Sequence, residues 1–178
     1  MKKMLAFAGS NSKQSINKQL AEFTVNSIDN VDVTVLDLND FELPIYGEDL
    51  EKEMGIPENA HRFLNYILET DGIVLALAEH NGNYATVFKN LFDWMSRING
   101  KLWSDKPMFL MATSPGGRGG SSVLEVAKGR FPYMGGNIVA EFSLPFFNDN
   151  FSEGKITNQE IVSNFNTQLD TFKKAINK

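Results

Sequence analysis

The sequence predicts an α/β fold in which a five-stranded parallel sheet is covered by helices on both faces. Two observations carry that prediction. Five short apolar stretches alternate with five longer segments of helical period, the signature of repeated β-α units. Two of the stretches, Ile73 to Ala78 and Met108 to Ala112, are apolar without alternation, as in strands buried on both faces.

The elements follow in order. Lys3 to Gly9 reads as a first strand and Ser15 to Asp29 as a helix with Leu20, Phe23 and Ser27 on one side. Val31 to Asp37 alternates and reads as a second strand. Phe41 to Pro57 reads as an irregular connection, holding Pro44, Gly47, Gly55 and Pro57. Pro57 is suited to the first turn of a helix, which runs to about Glu69. Asp71-Gly72 punctuates the chain before the third strand. Ala85 to Arg97 is helical, Met108 to Ala112 is the fourth strand, Ser122 to Phe131 is helical, and Ile138 to Phe142 is the fifth strand. Thr157-Asn158-Gln159-Glu160 has the form of a capping box. Behind it Ile161, Phe165, Leu169, Phe172 and Ile176 recur at helical spacing, so the last helix lies on the sheet.

The totals set bounds on function. A chain of 178 residues with 42% hydrophobic and 22% charged content suits one domain, residues 1–178, with a substantial core. A net charge of -5 without a basic face argues against nucleic-acid binding. No apolar stretch is long enough to span a bilayer. Met1-Lys2-Lys3 resembles the start of a signal peptide, but the apolar run behind it ends at Ala8, so it reads as a strand. The absence of cysteine removes disulfides, thiolate catalysis and thiolate metal sites, and fits a reducing, cytoplasmic location. No metal-site spacing is present.

In open parallel sheets ligands bind beyond the carboxyl ends of the strands, near the switch in strand order. Three loops at such ends stand out. The first holds Gly9, Ser10, Asn11, Ser12, Lys13, Gln14, Ser15, Ile16 and Asn17 between a strand and a helix. Hydroxyls, backbone N–H groups and a helix N-terminus there suit a phosphate; the bland reading is a polar turn capped by Ser15. The second holds Glu79, His80, Asn81, Gly82, Asn83 and Tyr84, polar groups able to bond the edge of a heterocycle and rings able to stack on it. The alternative is a tight turn with Asn83 capping the next helix. The third, Thr113-Ser114-Pro115-Gly116-Gly117-Arg118-Gly119-Gly120, permits close approach of a ligand and offers one positive charge; taken alone it reads as a surface loop with a solvated arginine.

In this order the three loops resemble the NADPH-dependent FMN reductase family, which includes quinone, chromate and azo-dye reductases. The carriers are Gly9-Ser10 with Ser15 and Asn17, then Glu79-His80-Asn81-Gly82 with Lys89-Asn90, Asp93-Trp94 and Ser96-Arg97, then Ser114 to Gly120, and Leu43-Pro44-Ile45-Tyr46 in the middle connection. The sequence departs from the family pattern in carrying Lys13 for an arginine and Ala78-Glu79-His80 for Pro-Glu-Tyr.

The resemblance implies a flavodoxin-like three-layer sandwich with strand order 2-1-3-4-5. It implies an NAD(P)H-dependent oxidoreductase that passes electrons through bound FMN to a small acceptor such as a quinone, azo compound, metal oxyanion or free flavin. Reduced nicotinamide, NADPH or NADH, is the donor, and no side chain need act as acid or base. By resemblance Ser10, Ser12, Lys13, Ser15, Ile16 and Asn17 hold the phosphate and ribityl end. Glu79, His80, Asn81 and Gly82 edge the ring, and Ser114, Gly116, Gly117 and Arg118 lie at its other side. Family members form homodimers or homotetramers, for which Phe88, Phe92, Trp94, Met95 and Trp103 are candidates, core packing being the equal alternative. A flavodoxin-like electron carrier and a non-catalytic flavin-binding protein are the rival readings. A serine hydrolase is disfavoured, since no Gly-x-Ser-x-Gly elbow is present and the only histidines are His61 and His80.

Overall fold

A computed structural model describes residues Met1–Lys178. In chain order the elements are β1 (Lys2–Gly9), α1 (Ile16–Asn26), β2 (Val31–Leu36), α2 (Glu48–Met54), α3 (Glu58–Glu69), β3 (Gly72–Leu77), β4 (Glu79–His80), β5 (Asn83–Tyr84), α4 (Thr86–Ile98), β6 (Pro107–Thr113), α5 (Ser121–Arg130), β7 (Asn137–Leu144), α6 (Phe147–Asn150), β8 (Phe151–Ser152), β9 (Lys155–Ile156) and α7 (Gln159–Ile176). Short 3₁₀ turns cover Leu38–Asp40 and Phe131–Met134.

The main sheet has the order β2-β1-β3-β6-β7, with every neighbouring pair parallel. Since β4 and β5 form a separate hairpin, β6 and β7 are the fourth and fifth strands of this sheet, and the order is the anticipated 2-1-3-4-5.

The lack of alternation in the strands has a direct cause. Leu5, Phe7, Leu75, Leu77 and Leu110 point into a core shared with α3, α4 and α5. Met4, Ala6, Val74, Ala76 and Met111 point the other way, into a second core shared with α1 and α7. Both sides of each inner strand are therefore dry. The edge strand β2 has one poorly covered side, and there the alternation of Val31 and Val33 with Asp32 and Thr34 returns.

Four local expectations are corrected. The connection from Phe41 to Pro57 contains helix α2, which buries no residue and so left no apolar period to read. Its start at Gly47 places Glu48, Asp49 and Glu51 beside the positive end of the helix, and it ends on Gly55 at φ 76°. Pro57 is the residue that caps α3, one position before its first turn. The last helix is capped by Asn158, whose side chain accepts from the N–H groups of Glu160 and Ile161, and Thr157 instead donates to the Asp149 carbonyl. Finally, Phe88, Phe92, Trp94, Met95 and Trp103 are all core residues of the protomer, at most 4% exposed. They are not a subunit surface.

One ion pair ties the first helix to the end of β2. Lys18 Nζ on α1 donates to Asp37 at 2.6 Å, and Asp37 also accepts from the backbone and side-chain nitrogens of Asn39. The Lys18 hydrogen bond holds the Asp37 carboxyl below the usual carboxylate range, and Asp37 in turn raises Lys18. A depressed carboxylate stabilises above its unfolded-state pKa, about 3.9, and that contribution is lost as pH falls through the lower folded value. A raised lysine stabilises below its unfolded value and loses that contribution only in strong alkali. Asp37→Asn is therefore expected to lower unfolding stability at pH 7 by about 1 kcal/mol. The difference from the parent protein should shrink in urea titrations as the pH is taken below about 4.

Candidate functional site

The three loops converge at the carboxyl ends of β1, β3 and β6. They line one open concavity of about 200 Å³, to which the first loop contributes Ser10, Ser12, Ser15, Ile16 and Asn17, the second Glu79 and His80, and the third Ser114. Gln14, Ala78, Thr113 and Pro115 line it as well. Those four stand next to residues singled out from the sequence, and their position at the strand ends was the available signal. Lys13, Asn81, Gly82, Gly116, Gly117 and Arg118 do not line this concavity.

The first loop is organised by its own hydroxyl groups. Ser10 Oγ accepts from the N–H of Ser12 at 3.1 Å, and Ser12 Oγ accepts from that of Gln14 at 3.3 Å. Ser15, the N-cap of α1, accepts from the N–H of Lys18 at 3.1 Å. Each hydroxyl thus uses its oxygen inward and keeps a proton to donate. The N–H groups of Asn11, Lys13, Ile16 and Asn17 have no partner within the protein. Four free amides, three hydroxyl protons and the positive end of α1 suit a dianionic phosphate. The exposed Lys13 makes no ion pair and adds charge nearby.

Asn17 has a structural task in addition. Its side chain is buried, donates to the Thr113 carbonyl at 3.2 Å and accepts from the Thr113 N–H at 2.9 Å. This reciprocal pair joins the start of α1 to the end of β6, and so the first loop to the third. Only the backbone N–H of Asn17 is free for a ligand.

The second loop is a hairpin in which Glu79 pairs with Tyr84 and His80 with Asn83. Asn81 at φ 53° and Gly82 at φ 75° form its two-residue turn, whose positive angles explain the Asn-Gly dipeptide. Glu79 Oε2 accepts from the N–H of Val123 in the first turn of α5 at 3.0 Å. That helix starts at Gly120 without a side-chain cap, so Glu79 supplies the missing acceptor and the favourable charge. His80 is exposed. Tyr84 is not available for stacking on a ligand: it lies in the core against Phe88 and Phe131, where burial pushes its hydroxyl up to about 12. Asn83 does not cap α4, since Oδ1 accepts from the N–H of Tyr84 and Ala85 holds the cap position.

The third loop is held from the far side by the segment after β7. The N–H groups of Phe146 and Phe147 donate to the carbonyls of Gly116 and Ser114 at 3.0 and 3.1 Å. Ser143 donates to the Gly119 carbonyl at 2.9 Å. A Cβ on Gly119 would run into Ser143 Oγ, so this position admits no side chain. Arg118 donates to Ser122, and Gly82 of the hairpin faces the same serine, whose Cβ would lie 3.9 Å from a side-chain carbon placed at Gly82. The hairpin tip and Arg118 therefore share one rim.

The remaining signature residues serve the middle connection. Asn90 accepts from the N–H of Tyr46 and donates to the Pro44 carbonyl, to which Trp94 Nε1 also donates. Arg97 pairs with Glu51, which accepts from the Tyr46 hydroxyl. Lys89 pairs with Asp93 one turn along α4. This set pins Leu43-Pro44-Ile45-Tyr46 to α4 and leaves the concavity to the three loops.

Residues 2–149 match the family described as NADPH-dependent FMN reductase. A 2-hydroxy-1,4-benzoquinone reductase from Burkholderia is 31% identical over 139 residues, covering 74% of this chain and 71% of that protein. An NADPH:quinone oxidoreductase from Arabidopsis thaliana is 32% identical over 124 residues, covering 67% and 62%. The solved structure of FerB, a flavoenzyme NAD(P)H:(acceptor) oxidoreductase from Paracoccus denitrificans, has the same fold, with a TM-score of 0.82, 24% identity, and coverage of 99% of this chain and 98% of that one.

The pair between Asn17 and Thr113 yields a stability prediction. Asn17→Leu keeps the volume but strands a buried N–H and a buried carbonyl, each costing about 1–3 kcal/mol. Urea unfolding should show a loss of about 2–4 kcal/mol.

Proposed function

The chain belongs to the NADPH-dependent FMN reductase family, and on that premise we propose a division of tasks among its loops and a quinone as its electron acceptor. It is an oxidoreductase with FMN as cofactor and NAD(P)H as electron donor. When bound, FMN supplies the redox chemistry, collecting a hydride from the nicotinamide and delivering electrons to the acceptor.

The observation that carries the reading is the concavity of the first loop, which is lined by the hydroxyl groups of Ser10, Ser12 and Ser15 and by Ile16 and Asn17 with their unpartnered amides, with those of Asn11 and Lys13 on the same loop. The residues present fit the phosphate end of FMN. In this reading Ser10, Ser12 and Ser15 donate their hydroxyl protons to phosphate oxygens, and the N–H groups of Ile16 and Asn17 point along the helix axis at the same group. Lys13 neutralises part of its charge as a point charge, without the fork of an arginine. A volume of about 200 Å³ is below the usual range for a whole bound cofactor, so this concavity would hold the phosphate end and leave the ring outside it. His80, Asn81 and Gly82 would hold the ring on one side, and Ser114, Gly116, Gly117 and Arg118 on the other. Glu79 acts through α5, fixing the hairpin to the third loop. Arg118, at the shared rim, stabilises negative charge on the reduced cofactor.

A quinone as acceptor is supported by the relatives, two of which carry that activity in their names. We place the enzyme in the cytoplasm, where reduced nicotinamide is supplied; no helix is long and apolar enough to cross a membrane. We further propose a homodimer or homotetramer, as in the family, with an interface outside the aromatic core of α4.

The phosphate assignment is tested by flavin titration, followed by fluorescence quenching. FMN should bind far more tightly than riboflavin, which lacks the phosphate. Ser10→Ala and Ser12→Ala should each weaken FMN about tenfold or more and leave riboflavin unchanged, as expected for losing one bond to a charged group. Equal affinity for the two flavins would remove the phosphate site from the account. Arg118→Ala should lower the reduction potential of the bound cofactor in a spectroelectrochemical titration, and an unchanged potential would take Arg118 away from the ring.

A further inference from the structure

Phe146 stands apart from the other aromatic residues of this chain. Its backbone is left-handed, at φ 47° and ψ 57°, a conformation costly for a bulky L-residue. Its side chain is 49% exposed and takes part in none of the aromatic pairs that organise the two cores. It packs closely against the third loop, where a Cβ built on Gly117 would lie 2.7 Å from the tip of the ring. Gly117 itself has no positive φ, so the space taken by this ring, and not a backbone angle, requires glycine there. The conformation is enforced. The N–H of Phe146 donates to Gly116 and that of Phe147 to Ser114, which clamps the turn onto the loop. A strained backbone therefore holds a half-exposed, rigid, flat apolar surface at the edge of the loop assigned to the cofactor ring.

We propose that Phe146 is a specificity-determining residue for the acceptor. Its ring is a stacking wall that favours flat aromatic acceptors, with the quinone ring packed against it during its reduction. The inference rests on the reading of the chain as a quinone-reducing flavoenzyme. The overall reaction it serves is NADPH + H⁺ + quinone → NADP⁺ + hydroquinone, in which the quinone gains two electrons and two protons. An acceptor without a flat apolar face, such as ferricyanide, takes single electrons without needing the wall: NADPH + 2 ferricyanide → NADP⁺ + H⁺ + 2 ferrocyanide.

Phe146→Gly removes the ring and relieves the backbone at once, because glycine adopts positive φ freely. The variant should melt at the same temperature as the parent or higher. Its KM for 1,4-naphthoquinone should rise about tenfold, the scale of one lost aromatic stack, with ferricyanide kinetics changed less than twofold. A readout independent of turnover is calorimetric binding of 2-naphthol, a flat aromatic that accepts no electrons, to the oxidised holoenzyme. Its Kd should rise by a similar factor in Phe146→Gly and return to the parent value in Phe146→Tyr. Equal losses with naphthoquinone and ferricyanide, or unchanged naphthoquinone KM and naphthol Kd, would overturn the proposal. So would a fall in oligomeric mass of the glycine variant, which would make the ring a subunit contact. Failure of the parent protein to reduce ferricyanide with NADPH would instead strike the underlying reading.

Discussion

Strands β1 and β3 lie side by side, yet the chain leaves them toward opposite faces of the sheet. After β1 it turns into α1, which packs with α7 on one face, and after β3 it runs into α4, which packs with α3 and α5 on the other. Two connections that diverge from neighbouring strand ends cannot cover the gap between them, and this leaves a crevice at the switch in strand order. The requirement that both faces of the sheet be buried thus creates the site. The apolar core positions are occupied on both sides of every inner strand, and the unpartnered amides of the first loop lie where the helices part.

The crevice would be of little use if its three walls moved independently. Asn17 joins the first wall to the third by pairing both backbone groups of Thr113. Glu79 joins the second to α5, and the amides of Phe146 and Phe147 brace the glycine loop from behind. Each bond satisfies a group that burial or a helix terminus would otherwise strand, so the same contacts that stabilise the fold also set the relative positions of the loops. This explains why residues in a family signature need not touch a ligand. Asn90, Trp94 and Arg97 hold the middle connection, directly or through Glu51, and Glu79 and the side chain of Asn17 hold the loops.

Much of this was legible in the residues. Buried strands announce themselves by unbroken apolar runs, and the last helix by the spacing of Phe165, Leu169, Phe172 and Ile176, all of which are buried. Helix α2 was not legible because it buries nothing, and its only signals are Gly47, a cluster of acids and Gly55. The hairpin was readable in principle from Asn81-Gly82, the strongest short signal for a tight turn between strands. The convergence of the first, second and third loops followed from their places at strand ends. Three features depended on tertiary contacts that no local pattern encodes: the diversion of the Asn17 side chain to Thr113, the burial of Tyr84 beneath its own hairpin, and the left-handed Phe146 over Gly117.

In the proposed enzyme this crevice would hold FMN where reduced nicotinamide can reach it. The most direct measurement is anaerobic addition of NADPH to the FMN-loaded protein in a rapid-mixing spectrophotometer, followed by a second mix with a quinone. The oxidised flavin absorbance should be lost on the first mix and return in full on the second. Retention of the oxidised spectrum with both NADPH and NADH, in a protein that binds FMN tightly, would contradict this reading.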